Sequence, residues 1–350
     1  MPTVELMTGA ALAIVLVVGG GRVLSESIEI GTMVAFLLYV QRFFEPIRTL
    51  TMHYAALQRA VASGHRIFEL LDIPLDIADK PEAKPIGDVD GRVEFKNVTF
   101  GYKPERPILR NISFVAEPGQ TIALVGPTGS GKTSITALAH RFYDVQQGSI
   151  SIDGQDIRDV TQESIGHVMG MVLQEPFLFS KSVLENVSYN TENATREDVV
   201  AACKIIGAHD FVMQLDNGYD TTLEQRGSNL SVGQRQLLSF ARALVADPKI
   251  LVLDEATANI DSYTERIIQE ALKKLLEGRT ALVIAHRLST IRNSNQIIVV
   301  RDGEIVEKGT HDELLAETGL YAQLWQTNYT SFDDIAGNAD SITGAPISST

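Results

Sequence analysis

Three short stretches hold residues whose types and spacing could do chemistry. The first, Gly126-Pro127-Thr128-Gly129-Ser130-Gly131-Lys132-Thr133, follows the apolar run Thr121 to Val125 and leads through Ser134 into a helical pattern. Its glycines let backbone N–H groups converge on phosphate oxygens, and the N-terminus of the following helix adds the positive end of a dipole. Lys132 supplies a point charge for β- and γ-phosphates, and Thr133 places a hydroxyl where Mg²⁺ would sit. In "KILVLDEAT", an Ile-Leu-Val-Leu run ends in Asp254 and Glu255. Asp254 can orient Mg²⁺ through water, and Glu255 can polarise an attacking water as general base. In "TALVIAHRLST" a third run ends in His286, placed to bond a γ-phosphate or position the water. Each stretch has a plainer reading: a Gly-rich turn, two solvated loop acids, a satisfied edge histidine. Their joint occurrence, each after an apolar run, favours phosphoryl chemistry on a nucleoside triphosphate.

Such groups must be positioned by a sheet. A strand, a phosphate-binding loop and a helix are the context this glycine-lysine spacing requires. Continuous apolar runs suit central parallel strands buried on both faces, and open α/β sheets bind ligands at the carboxyl ends of their strands. At 350 residues the chain has room for about two domains. The formal net charge of −14 argues against a nucleic-acid partner, which calls for a basic patch. A single cysteine, Cys203, has no internal partner and no companions for a zinc site. It fits a reducing compartment and reads as a plain buried residue.

The apolar residues before about position 60 form a separate block. Leu6 to Gly21 carries no charge, and as a helix would span roughly 24 Å, short of a hydrocarbon layer of roughly 30 Å. Ile30 to Val40 is shorter still. Three readings compete: a signal peptide, which lacks its basic n-region; a buried helical hairpin; and a membrane pair. Charge placement supports the membrane, because Arg42, Arg48, Arg59 and Arg66 outnumber Glu45 and Glu69 after the second run, which puts the rest of the chain in the cytoplasm. Apolar spacing from Arg42 to Leu71 predicts one long helix leaving the bilayer. Residues 73–90, with Pro74, Pro81 and Pro85 among charges, read as a linker. No internal repeat is visible, and 330–350 reads as a disordered tail.

With "NLSVGQRQ" upstream of the Asp254 strand, these pieces resemble the nucleotide-binding domain of ATP-binding cassette (ABC) proteins over roughly Gly91 to Tyr329. The resemblance implies an α/β P-loop NTPase fold with a helical subdomain, preceded by transmembrane α-helices (1–72) of a half-transporter of the multidrug-resistance-like, heterodimeric exporter type. It implies ATP and Mg²⁺, with Tyr102 stacking on adenine and Gln174 reaching Mg²⁺ beside Thr133 and Asp254. It assigns Glu255, His286 and Lys132 to catalysis, and Ala258 to Asp261 to the D-loop. Two such domains would sit head to tail, so that Ser231, Gly233 and Gln234 would touch ATP held by the P-loop of a second half-transporter, identical or, as favoured here, different. The other implied partners are membrane lipid and a transported substrate, in a multi-pass arrangement in the cell (inner) membrane. Such half-transporters carry six membrane helices, so about four are absent and the chain reads as a fragment or a late start. Two departures stand out. Val232 replaces the glycine of many signature loops, a hint of asymmetric pairing. Gln225, in "TTLEQRG", replaces an acidic residue, which puts in doubt a charge-dependent contact with the membrane domain. A weakly hydrolysing regulatory subunit and a soluble, non-transport cassette are the competing functions.

Overall fold

The apolar runs of the second half are strands in the computed structural model, which describes residues 2–74, 76–103, 105–189, 191, 193–254, 262–285 and 287–327. Two units divide the chain, Met1–Leu75 and Asp76–Thr350. The first contains α1 (Pro2–Leu24) and α2 (Ile30–Leu71). The second opens with β1 (Val93–Phe100), β2 (Leu109–Ala116), β3 (Thr121–Val125), α3 (Lys132–Ala139), β4 (Gln147–Ile152), β5 (Gln155–Asp156), α4 (Gln162–Val168) and β6 (Met169–Val172). A helical stretch follows, α5 (Val183–Val187), α6 (Arg196–Ile206), α7 (His209–Met213) and α8 (Val232–Ala246). The chain then returns through β7 (Ile250–Asp254), α9 (Ser262–Leu276), β8 (Thr280–Ile284), α10 (Leu288–Arg292), β9 (Gln296–Arg301), β10 (Glu304–Gly309) and α11 (His311–Ala316).

The strands form a six-stranded sheet in the order β10-β9-β3-β8-β7-β6 and a four-stranded antiparallel sheet in the order β2-β1-β4-β5. In the larger sheet β9, β3, β8, β7 and β6 run parallel, and β10 returns antiparallel at one edge. Side chains alternate between its two faces, as a strand's two-residue period demands. Ala123, Leu251, Leu253, Val283 and Val299 join the core shared with α6, α8 and α9. Ile122, Leu124, Val252, Leu282 and Ile298 join the core shared with the smaller sheet, where Phe95 stacks on Phe114. Both faces are covered, which explains runs with no polar alternation. Parallel pairing brings the carboxyl ends of β3, β8, β7 and β6 to one edge, and the chemistry-bearing residues follow those ends. Cys203 is fully buried in the first core, where burial pushes its thiol up to about 11, as expected of a packing residue.

Residues 76–90, most of the segment 73–90 whose composition reads as a linker, are held against the cassette. Asp79 pairs with Arg141, Ile86 and Val89 are buried, and Lys84 exchanges backbone hydrogen bonds with Asp159 and Thr161. Prolines and charges exclude regular structure here, but hydrogen bonds and two apolar anchors hold the segment to the cassette all the same. Its far end is fixed by Asp153, whose carboxylate accepts from the backbone N–H groups of Asp90, Gly91 and Arg92.

In the first unit, α1 has 23 residues, roughly 34 Å at the helical rise, so the helix extends well beyond its uncharged run. The 42 residues of α2 form one helix from Ile30 that passes through Pro46, where the missing N–H removes a single ladder bond. Gly19 lies against Met33 where the two helices meet. Both are long and apolar enough to cross a membrane, and their large side chains, Ile14, Val17, Phe36 and Phe43 among them, are exposed.

Candidate functional site

The phosphate-binding loop leaves β3 at Gly126 and enters α3 at Lys132, with Gly126, Gly129 and Gly131 all at positive φ (152°, 82° and 107°). Two of these glycines are required by their neighbours. A Cβ on Gly126 would collide with the carbonyl oxygen of Val300, and one on Gly131 would sit 2.5 Å from Leu109 Cδ2. Glycine at these two positions therefore lets the loop lie directly against β9 and β2, and the positive φ values turn its backbone.

Lys132 folds back over this loop. Its Nζ donates to the carbonyls of Gly126 (2.8 Å) and Pro127 (2.9 Å) and lies 3.5 Å from Ser130 Oγ. Burial lowers its pKa, and the charge of Asp254 opposes that shift. The two residues thus feel each other although they leave strands separated by β8. A cation held mainly by neutral carbonyls is poised to exchange them for phosphate oxygens, which charge-assisted bonding favours. Thr133, at the same helix end, is exposed, and Asp254 is half-buried at the end of β7. Gln174 is exposed two residues beyond β6, on the same edge of the sheet. Hydroxyl, carboxylate and amide oxygens are hard donors, so this set fits Mg²⁺. Among the described residues no group of three or more His, Cys, Asp and Glu side chains gathers to hold a metal ion.

Tyr102 is half-exposed, and its hydroxyl lies 3.2 Å from Ser134 Oγ on α3. Edge-to-face contacts with Phe100 (5.2 Å) and Tyr143 (5.0 Å) fix its ring beside the phosphate loop. Glu255, the D-loop segment 258–261 and His286 lie outside the described residues. The strands that lead to Glu255 and His286 end on the same edge as β3.

The signature residues stand apart from the loop. Ser231 caps α8, its Oγ accepting from the N–H of Gln234 (3.2 Å) while Gln234 Oε1 accepts from the N–H of Ser231 (2.9 Å). This reciprocal box leaves the Ser231 hydroxyl proton and the Gln234 amide NH₂ as donors at a helix N-terminus. Among the described residues no hydrogen bond joins Ser231, Gly233 or Gln234 to the phosphate loop of the same chain. Gly233 is buried, and a Cβ there would collide with Thr264 Cγ2 on α9. Val232 is exposed at the first helical position and needs no unusual φ.

One supporting element escaped the sequence reading. The β9–β10 turn, Asp302 (φ 52°) and Gly303 (φ 82°), has the two left-handed residues of a tight hairpin. Gly303 donates its N–H to the Ser130 carbonyl (3.1 Å) and accepts from the Arg110 N–H (2.8 Å), bracing the phosphate loop against β2. The "RDGE" text between two apolar strands was the available signal for this turn, but nothing local says where it packs.

Residues 109–258 match the family described as ABC transporter. The chain is 46% identical over 330 residues to an uncharacterised ABC transporter ATP-binding protein, YknV, of Bacillus subtilis, covering 94% of this chain and 55% of the relative. It is 44% identical over 311 residues to a fatty acid ABC transporter ATP-binding/permease protein of Mycobacterium tuberculosis (89% and 49%). An ATP-dependent lipid A-core flippase of Desulfotalea psychrophila is also 44% identical, over 324 residues (93% and 56%). The solved structure of a bacterial Atm1-family ABC exporter with ATP bound superposes with a TM-score of 0.73 at 38% identity, covering 93% of this chain and 56% of that one. The chain thus spans about half the length of the relatives it matches. Phosphate loop, Asp254 strand, capped signature helix and apolar N-terminal helices occur here together in one chain, and the chain belongs to the ABC transporter family.

Proposed function

We propose that this chain is the ATP-binding and ATP-hydrolysing part of an ABC exporter half, with α1 and α2 in the cell membrane, the cassette in the cytoplasm, and hydrolysis coupled to export of a substrate. The observation that carries the reading is the convergence on one sheet edge of the backbone cradle, Lys132 and Asp254, with Lys132 within electrostatic reach of the carboxylate. Tyr102 offers a face to the base. Gly126 to Ser134 and Lys132 hold the phosphates, and Thr133, Asp254 and Gln174 would hold Mg²⁺. Bound there, Mg²⁺ would neutralise charge on the phosphate oxygens. Glu255 takes the proton of the attacking water, and His286 orients that water or the γ-phosphate.

Ser231, Gly233 and Gln234 serve the phosphate loop of a second cassette; in support, no hydrogen bond among the described residues joins them to the phosphate loop of their own chain. A head-to-tail pair follows. The exposed Val232 favours an unlike partner, since it leaves the donors in place yet makes this signature loop differ from a glycine-bearing one. The test is Glu255→Gln in the reconstituted dimer. Turnover falls at least tenfold, about 1.4 kcal/mol of barrier, and ATP is trapped. Unchanged turnover removes Glu255 as the base. In a heterodimer, trapping read on each subunit separately also weighs the regulatory reading, which trapping confined to the partner's phosphate loop would favour.

A further inference from the structure

Tyr143 is exposed on the loop between α3 and β4, and no step of the phosphate chemistry uses it. Its ring lies 5.0 Å from that of Tyr102 at an interplanar angle of 78°, and 5.5 Å from Phe100, which in turn lies 5.2 Å from Tyr102 at 82°. Three rings thus meet pairwise at the end of β1. The loop that carries Tyr143 is tied to the same place by Gln146. Its N–H donates to the Thr99 carbonyl (3.1 Å), and its Nε2 donates to the carbonyl of Gly101 (2.9 Å), the residue before Tyr102. At the start of α3, buried Ser134 lies 3.2 Å from the Tyr102 hydroxyl. So the helix that begins at Lys132 and the loop that follows it both reach this one side chain.

We propose that Tyr143 is a positioning residue of the base subsite, setting the plane in which Tyr102 presents its ring to adenine. The inference rests on the functional reading above. A tyrosine's Cβ, Cγ, Cζ and hydroxyl oxygen lie on one line, so fixing the backbone and the hydroxyl leaves the ring to turn about that line, a torsion that is intrinsically broad. The Ser134 contact therefore places the end of the axis without choosing the plane. Groups beside the ring choose it, and the rings beside it are those of Phe100 and Tyr143. Phe100 lies two residues back on the same strand and moves with Tyr102, so it relates the ring to nothing beyond β1. Tyr143 follows α3, whose first residues hold phosphate, and so ties the plane of the stacking ring to the phosphate loop. Neither neighbour stacks parallel on Tyr102, which leaves that arrangement to a base.

The experiment titrates the full chain in lipid nanodiscs with ATP and with inorganic tripolyphosphate by calorimetry, both without Mg²⁺ so that hydrolysis does not intervene. Tyr143→Leu removes the ring and keeps apolar bulk, whereas Tyr143→Phe keeps the ring. In Tyr143→Leu the Kd for ATP rises about fivefold, the size of one aromatic pair, while the Kd for tripolyphosphate, which has no base, does not move. Tyr143→Phe restores the ATP affinity. In a Tyr102→Ala background Tyr143→Leu has no further effect, because the ring it positions is gone. Unchanged ATP affinity in Tyr143→Leu overturns the proposal. So does an equal weakening of tripolyphosphate, the mark of a merely structural role. A full effect of Tyr143→Leu in the Tyr102→Ala background overturns it too, by making Tyr143 a base contact in its own right. If Tyr102→Ala binds ATP as the parent does, the functional reading of Tyr102 itself is refuted, so the two failures remain distinct.

Discussion

Gly233→Ala tests whether a signature-loop glycine is set by its ligand or by its own fold. The added methyl would collide with Thr264 Cγ2 between α8 and α9, in a buried contact at the start of a 15-residue helix. Inserting a methyl into packed structure costs about 1–3 kcal/mol, and exchanging glycine for alanine in a helix returns about 0.5–1 kcal/mol, so the net loss is about 1 kcal/mol. For a cassette of this size that lowers Tm by roughly 2–4 °C. Thr264→Ser deletes the offending methyl and keeps the hydroxyl. Combined with Gly233→Ala it recovers most of the loss, a coupling of about 1 kcal/mol in a double-mutant cycle. Denaturant unfolding followed through Trp325, the sole tryptophan, reads all four proteins. If Gly233→Ala is as stable as the parent, or if the two substitutions simply add, the packing argument fails. ATPase of the stabilised double variant then isolates any need of the ligand itself for a bare backbone at 233.

Gly303→Ala places a Cβ against the Ile108 carbonyl at a left-handed φ and should loosen the brace on Ser130. A loss of about 2 kcal/mol in unfolding free energy is expected, with KM for ATP rising more than kcat falls in steady-state kinetics. His140, whose Nε2 has no hydrogen-bond partner, is held neutral by burial, with its pKa down from 6.5 to about 4 despite a backbone hydrogen bond to Gly170. Because the unfolded chain binds that proton more readily, this contribution is complete above pH 6.5 and is lost as pH falls from 6.5 toward 4. About 2 kcal/mol should disappear by pH 5, and His140→Gln should flatten that part of the urea-midpoint profile.

The sequence made the sheet and the phosphate loop legible because their signals are local. Thr121 to Thr133 contains strand, turn glycines and helix start in one stretch, and β7 and β8 announce themselves as unbroken apolar runs. The Ser231 box was equally local, but its capping role lay hidden under the functional reading, since the same Ser and Gln types suit a helix cap and a phosphate. The two roles are compatible. Capping uses one acceptor site on Ser231 Oγ and the Gln234 carbonyl oxygen, and it does not use their donors.

What composition concealed was long-range fixation. Residues 76–90 look like slack chain because proline and charge remove periodicity, and periodicity is what a sequence reading detects. Their order comes from partners about 60 to 80 positions away: Asp153 for residues 90–92, Ser164 for Ile86, Arg141 and Gln162 for Asp79. None of these pairs has a spacing rule. An irregular segment held this way has its backbone groups satisfied one by one, so each bond is a separate point of attachment, unlike a helix in which neighbours share the load.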